Sequence, residues 1–412
     1  MKLNIRNSLS LALYLLLIYE VIMVVFHLDG ISLPKITITL FIWTSFILAF
    51  VFFLKYYSNI KNNIPKFAFN LLLILFAWNI TNILRSLLSG EGSSATLFGN
   101  IYTILALLVP FSISFSAKAS NIGTINRYLL IVLKIGIVIS IVSFALTSGY
   151  IQSTQNQLLL IILFPVIFLI TIFPFQKKKT KYLILIGVFL IIYAAILYSS
   201  RTMMMRVPLL FLALFAISFY RKYNFKWILK ISFLILVVPL FLLQSSIISK
   251  QSVFQKYLPE ISDTKFSTDT RTFLYVEVFK DLLENNQLIT GKGASGTYYS
   301  EFFNSTKGDT DTRLTVEVGL LAILLKGGLI AVFINLLILF IAIYLAFFRS
   351  KNFYVIGVGY MLFIHTIILF IENLSSFSSY NFIIWIFIGV CLSKEIRNLS
   401  NQQIKNILFN EK

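Results

Sequence analysis

The sequence predicts an all-α polytopic membrane protein with about 12 transmembrane helices and one large extracytoplasmic loop that contains short helices. Three observations lead there. Of 412 residues, 58% are hydrophobic and 16% aromatic, while 12% are charged, against about 25% in an ordinary soluble domain. Apolar stretches recur at the length of a bilayer-crossing helix, about 20 residues. The basic residues gather in alternate connections between those stretches. A mean hydropathy of +0.87 excludes a cytosolic enzyme, because a soluble fold has no place to bury so much Leu, Ile and Phe. The lone Cys391 excludes an intramolecular disulfide, and two histidines are too few for a Cys/His zinc cluster.

The expected spans cover residues 8–26, 36–54, 67–88, 97–117, 128–147 and 157–175, then 182–199, 203–220, 225–243, 320–348, 353–371 and 380–393. The opening MKLNIRN resembles the basic start of a signal peptide. The apolar stretch behind it runs on to Phe26, contains Glu20 and lacks a small-x-small cleavage site, so a retained first helix is expected. No second long loop or matching pair of broken spans marks an internal repeat.

Orientation follows from the positive-inside rule. With the N-terminus inside, 22 of the 35 Lys+Arg and two of the 16 Asp+Glu (Glu395 and Glu411) fall on the cytoplasmic side. That side carries +20 and the remainder −1, which recovers the net +19. The basicity is a topology signal and needs no nucleic acid to explain it. N-in, C-in is the expected arrangement.

Three regions follow: an N-terminal bundle of about nine spans over 1–243, an extracytoplasmic loop over 244–316, and a C-terminal bundle of about three spans with a short tail over 317–412. A polar connection of that length is usually functional or internally structured. Within it, residues 268–286 read as an amphipathic helix. Thr268, Asp269 or Thr270 offers an N-cap, Phe273, Val276, Phe279 and Lys280 or Leu283 recur at helical spacing, and Asn285-Asn286 closes it. Further on, a straight helix from Glu317 to Phe348 would run about 48 Å, too long for one span. Lys326-Gly327-Gly328 offers a break, which would leave Arg313 and Glu317 at the outer surface. The structural alternative is one tilted helix with those two residues paired at i, i+4. His365, inside the eleventh span, reads as a buried histidine bonded to a neighbouring helix.

The candidate site residues are arginines on the outer side. Arg85 lies near the outer end of the third span, Arg201 and Arg206 open the eighth in YSSRTMMMRVP, Arg271 opens the loop helix and Arg313 closes the loop. An arginine at a helix centre costs about 2.5–3.5 kcal/mol on insertion scales, so near hydrocarbon it needs a partner or a wet cavity. Arg201 and Arg206 have no acid within fifty residues on either side, which leaves a distant loop acid or an external anion. Interfacial snorkelling is the structural alternative for each arginine. For Arg201 the adjacent Ser200 and Thr202 add hydroxyl donors to a guanidinium fork, suitable equipment for a diphosphate. Gly291, Gly293 and Gly296 in GKGASG have a phosphate-loop look, yet no strand precedes them and no GK[ST] follows, so a turn after the helix is the structural reading. Asp309 and Asp311 form a D-x-D pair. They read as general-base or sugar-hydroxyl groups; a divalent metal is not expected, because metal-dependent nucleotide-sugar donors are cytoplasmic.

On these residues the chain resembles the bacterial O-antigen polymerases and ligases, membrane glycosyltransferases that include capsule and exopolysaccharide polymerases. YSSRTMMMRVPLLFLALFAI (198–217) is similar to the family's Ser-Arg-Thr lead-in to an apolar span. DTRTFLYVEVFKDLLENNQLITGKGASGTYY (269–299) resembles its loop signature, and RLTVEVGLLAILLKGGLIAVFI (313–334) its glutamate- and glycine-containing return to the membrane. Together they cover about 75 residues in the family's order. Ligase members commonly carry a histidine just before the return span; this chain has none there, which favours a polymerase-like member.

The resemblance implies an enzyme of the bacterial cytoplasmic membrane, with its active site facing outside and the lipid bilayer as its surroundings. Donor and acceptor would be oligosaccharide repeats on undecaprenyl diphosphate, joined by inverting, metal-independent transfer without a cofactor. Arg201, Arg206 and Arg271 would neutralise the departing diphosphate, as preorganised donors do elsewhere, while Asp309, Asp311 or Glu317, or bulk water late in the step, would take the acceptor proton. Arg85, Ser200, Gly291, Gly293 and Arg313 would line the substrate site. A flippase and a chain-length regulator are implied partners. The competing functions are a flippase or exporter of lipid-linked oligosaccharide, and a ligase with another acceptor.

Overall fold

The computed structural model describes residues 5–29, 35–90, 93–146, 152–197, 272–300 and 312–409, with Phe211 and Phe215. Among them the chain is all-helical, with no strand beyond an isolated antiparallel bridge between Tyr298 and Arg313. Apart from Phe211 and Phe215, expected spans 203–220 and 225–243 lie outside the described residues, as do loop residues 244–271 and 301–311.

The N-terminal helices are α1 (Ile5–Asp29), α2 (Lys35–Asn63) and α3 (Lys66–Ser89), then the short α4 (Ser94–Gly99) and α5 (Ile104–Leu108), then α6 (Asn121–Leu146), α7 (Gln152–Thr171) and α8 (Lys178–Leu197). The loop helix is α9 (Thr272–Glu284). The C-terminal part holds α10 (Gly319–Arg349), α11 (Phe353–Leu369), α12 (Ser379–Leu392), α13 (Lys394–Asn398) and α14 (Asn401–Phe409). Among the described residues, four helical stretches are long and apolar enough to cross a membrane: Thr39–Asn63, Lys66–Ser89, Asn121–Ile141 and Gly319–Arg349. Five shorter apolar stretches accompany them. Large apolar side chains such as Leu54, Phe67, Phe189 and Phe333 stand outward, each at least 60% exposed, which suits acyl chains and not water. This is a membrane-embedded helical protein.

Helices α11 and α12 are buried nearly all round, as core helices of a bundle are. On one side they meet α10; on another α12 lies along a 3₁₀ segment, Val109–Ala117, that continues α5 and packs against α2. The expected continuous span over 97–117 is therefore two short helices, a turn at Asn100–Thr103 and this 3₁₀ segment. Pro110 cannot donate an N–H, and the following serines bond elsewhere. Ser112 Oγ donates to Phe382 O and Ser114 Oγ to Ala49 O, both at 2.9 Å. Such non-α backbone is tolerated in a bundle because protein covers it on every side. The Glu20 carboxylate of α1 accepts the Ser379 N–H at 2.9 Å, capping the first turn of α12.

Loop helix α9 ends in a Schellman closure. Gln287 N–H reaches Leu282 O at 2.8 Å, Asn286 N–H reaches Leu283 O at 3.1 Å, and Asn286 stands at φ 56°. Its buried face is Leu274, Tyr275, Val278 and Leu282; of the expected stripe of Phe273, Val276, Phe279 and Lys280 or Leu283, Phe273 and Phe279 pack half-buried against it, while Val276 and Leu283 are exposed. Both stripes satisfy a 3.6-residue period. The observed one also lets the Tyr275 hydroxyl donate to Phe370 O at 2.7 Å, at the end of α11. Burial pushes that hydroxyl well above its ordinary pKa, keeping it a donor.

Candidate functional site

The site forms where the loop after α9 meets a break in α10. At Gly328 the backbone turns to φ 67° and ψ −170° inside an otherwise helical run, at the break the Lys-Gly-Gly sequence offers. The helix begins at Gly319, so Arg313 and Glu317 precede it and are not an i, i+4 helical pair; the tilted-helix alternative is corrected.

An unbroken helix would join the Leu329 and Ile330 N–H groups to Leu325 O and Lys326 O. Here the loop replaces both sets of partners. Leu329 and Ile330 donate to Leu288 O and Ile289 O at 3.0 and 3.4 Å. In return Lys292 and Gly293 donate to Leu325 O and Lys326 O at 2.7 and 2.9 Å. The next carbonyl, Gly327 O, accepts the Trp78 indole N–H at 2.8 Å. Only glycine allows this approach: a Cβ on Gly291, itself at φ 70°, would stand 2.5–2.6 Å from backbone atoms of Lys326, Gly327 and Gly328. Gly293 (φ 85°) sits as tightly on Ser86 of α3.

Every N–H from 291 to 296 is used inside the protein. Beyond Lys292 and Gly293, Gly291 donates to Gln287 O, Ala294 to Asn82 O, Ser295 to Ser86 Oγ, and Gly296 to Gly293 O. The segment is therefore a packed joint, and its amides are not arranged as a phosphate cradle. Arg85 holds it from α3, its guanidinium donating to Thr290 O at 3.1 Å, Gly291 O at 2.9 Å and Asn82 Oδ1 at 3.3 Å. A salt bridge of 2.6 Å from Lys292 to Asp281 ties it to α9. The structure thus brings Arg85, Gly291 and Gly293 together as mutual structural partners.

A second cluster lies behind the loop. Tyr298 and Arg313 exchange backbone bonds, the Tyr298 N–H donating to Arg313 O at 3.0 Å and the Arg313 N–H to Tyr298 O at 2.8 Å. The buried Tyr298 hydroxyl feels the charges of Arg313, Glu277 and Glu317. Burial pushes it up to about 12; Arg313 lowers it and the two glutamates raise it further. Arg313 and Glu317 are thereby assembled with Glu277, which sequence reasoning missed. The missed signal was an acid on the same loop helix that Arg271 opens. Ser200, Arg201, Arg206, Arg271, Asp309 and Asp311 lie outside the described residues, as do the N-cap candidates Thr268, Asp269 and Thr270.

Beneath the joint is a cavity of about 70 Å³ between α3, the 3₁₀ segment, α10, α11 and α12. Lys326 reaches it from the break, and His365, whose Nδ1 lies 3.1 Å from the Tyr380 hydroxyl on α12, is part of its wall. Among the described residues no group of three or more His, Cys, Asp or Glu is placed to hold a metal.

Comparison with protein-family models, curated proteins and solved structures finds no match to this chain.

Proposed function

We propose that this protein polymerises oligosaccharide repeats carried on undecaprenyl diphosphate at the outer face of the bacterial cytoplasmic membrane, as a 12-span N-in, C-in glycosyltransferase. The observation that carries the reading is the return loop itself. The Gly-x-Gly segment that follows α9 is docked on the glycine break of α10, so the described parts of the second and third motifs of the resemblance form one surface. Arg313 and Glu317 stand just before the return helix.

In the reaction, the hydroxyl oxygen of the acceptor chain bonds to the donor's anomeric carbon with inversion. The bond from that carbon to the diphosphate oxygen breaks, and undecaprenyl diphosphate leaves with the electron pair. Arg201, Arg206 and Arg271 stabilise the charge on the leaving group. Asp309, Asp311 or Glu317 accepts the hydroxyl proton. Arg85 fixes the loop through the Thr290 and Gly291 carbonyls, and Arg313 through its backbone pairing with Tyr298, alongside any contact of their own with substrate.

The test uses purified protein in lipid with a lipid-linked repeat unit and neither nucleotide sugar nor added metal. The expected result is a ladder of oligomers with one undecaprenyl diphosphate released per bond. Arg201→Ala and Arg271→Ala are expected to abolish long products while leaving protein level and topology unchanged. Normal chain lengths in both variants would remove the arginine clamp. Transfer of the lipid across a sealed vesicle with no ladder would assign a flippase, and transfer to a non-repeat acceptor a ligase.

A further inference from the structure

The cavity beneath the joint is built around a buried lysine with no carboxylate beside it. Lys326 is 5% exposed, and its ammonium donates one hydrogen bond, to Ala294 O at 2.8 Å. It forms no ion pair among the described residues, and no aspartate or glutamate stands among the described lining residues. An ionisable side chain in a membrane-embedded helix is costly unless something answers its charge. One neutral carbonyl is a weak answer to an ammonium with three N–H donors.

The rest of the wall is mostly apolar, with three carboxamides that supply further donors. Asn79, Asn335 and Asn381 line the cavity from α3, α10 and α12. Each Nδ2 donates to a backbone carbonyl, Leu107 O and Ala331 O at 2.8 Å and Ser376 O at 3.1 Å. A carboxamide carries two N–H groups, so each keeps one. One water needs about 10–15 Å³ of such space. The roughly 70 Å³ here takes several waters or one tetrahedral or planar oxyanion, and excludes an oligosaccharide or a polyprenyl chain.

We propose that this cavity is a binding site for a single oxyanion group, phosphate or carboxylate, seated on the Lys326 ammonium and ringed by the amides of Asn79, Asn335 and Asn381. The proposal does not rest on the polymerase reading. The anion comes either as a free ion or as the headgroup phosphate of a neighbouring lipid, and the chemistry of capture is the same.

The experiment places the protein in phosphatidylcholine nanodiscs and titrates inorganic phosphate by ³¹P NMR. Saturable binding is expected for the wild type, at least tenfold weaker binding for Lys326→Met, and binding within a few-fold of wild type for Lys326→Arg. On the wild type alone, phosphate is expected to protect Lys326 from amine acylation, read by peptide mass spectrometry, so the result stands if a variant misfolds. Repeating the titration in phosphatidylglycerol nanodiscs separates the sources. A lost phosphate response with lysine-dependent phosphatidylglycerol retained in native mass spectrometry assigns the headgroup; an unchanged response assigns the free ion. Equal phosphate binding by the wild type and Lys326→Met overturns the proposal. So does the absence of both phosphate binding and lipid retention in the wild type.

Discussion

At Gly328 two demands meet in one residue: a positive φ, and a loop backbone so near that a Cβ would collide with the carbonyl of Ile289. Gly90, which closes α3, has the same φ of 67°, but a Cβ there would meet nothing within 4 Å. The pair separates the two costs. Gly90→Ala is expected to lose about 1 kcal/mol, the left-handed backbone term. Gly328→Ala adds overpacking of about 1–3 kcal/mol to the same term. Thermal unfolding in lipid, with proteolysis at Lys292 as a local probe, should show little change for the first and an opened loop for the second. The lysine and two glycines were legible in the sequence as a break, because nothing else interrupts that apolar run. What fills the break was not legible, since its partners stand more than thirty residues away on the loop and more than two hundred away on α3. Arg85 shows the same limit: its position near the end of the third apolar helix was readable, its two loop carbonyls were not.

At the scale of the element, α9 illustrates why a correct helix can be given the wrong face. Its Asn-Asn closure is local chemistry and was readable from the sequence. Its apolar residues satisfy two adjacent stripes, and the choice between them is made by what lies opposite, namely Val316, Val318 and the first turns of α10. Neighbouring leucines provide the check. Leu282 is fully buried and Leu283 is 57% exposed. Leu282→Ala is expected to cost about 2–5 kcal/mol and Leu283→Ala within about 0.5 kcal/mol, measured as unfolding and as hydrogen exchange of the loop. The segment 109–117 teaches the complementary lesson. Its composition reads as a span, and its serines bond to Ala49 and Phe382, contacts that no local window contains.

For the whole molecule, long apolar helices surround shorter, fully buried α11 and α12, so the last two expected spans lie inside the protein along most of their surface. The membrane-embedded class was legible from composition alone; the side on which each end lies is set by the lysines and arginines. Cysteine scanning tests it cleanly, because the native Cys391 is buried and silent to a membrane-impermeant maleimide. Ser93→Cys, at the exposed start of α4, should be labelled on intact cells, whereas Lys405→Cys on α14 should be labelled after permeabilisation. The reverse pattern would invert the orientation and move the arginines of the proposed site to the cytoplasm.

The exchange of hydrogen bonds between the loop and α10 also bears on how the protein moves. Lifting the loop would strip partners from the Leu329 and Ile330 amides and from the Leu325 and Lys326 carbonyls at once. Exposing such groups away from water costs on the order of several kcal/mol each. The joint is therefore no swinging door. Loop and helix move as one body, and any rearrangement of the protein has to carry the two together.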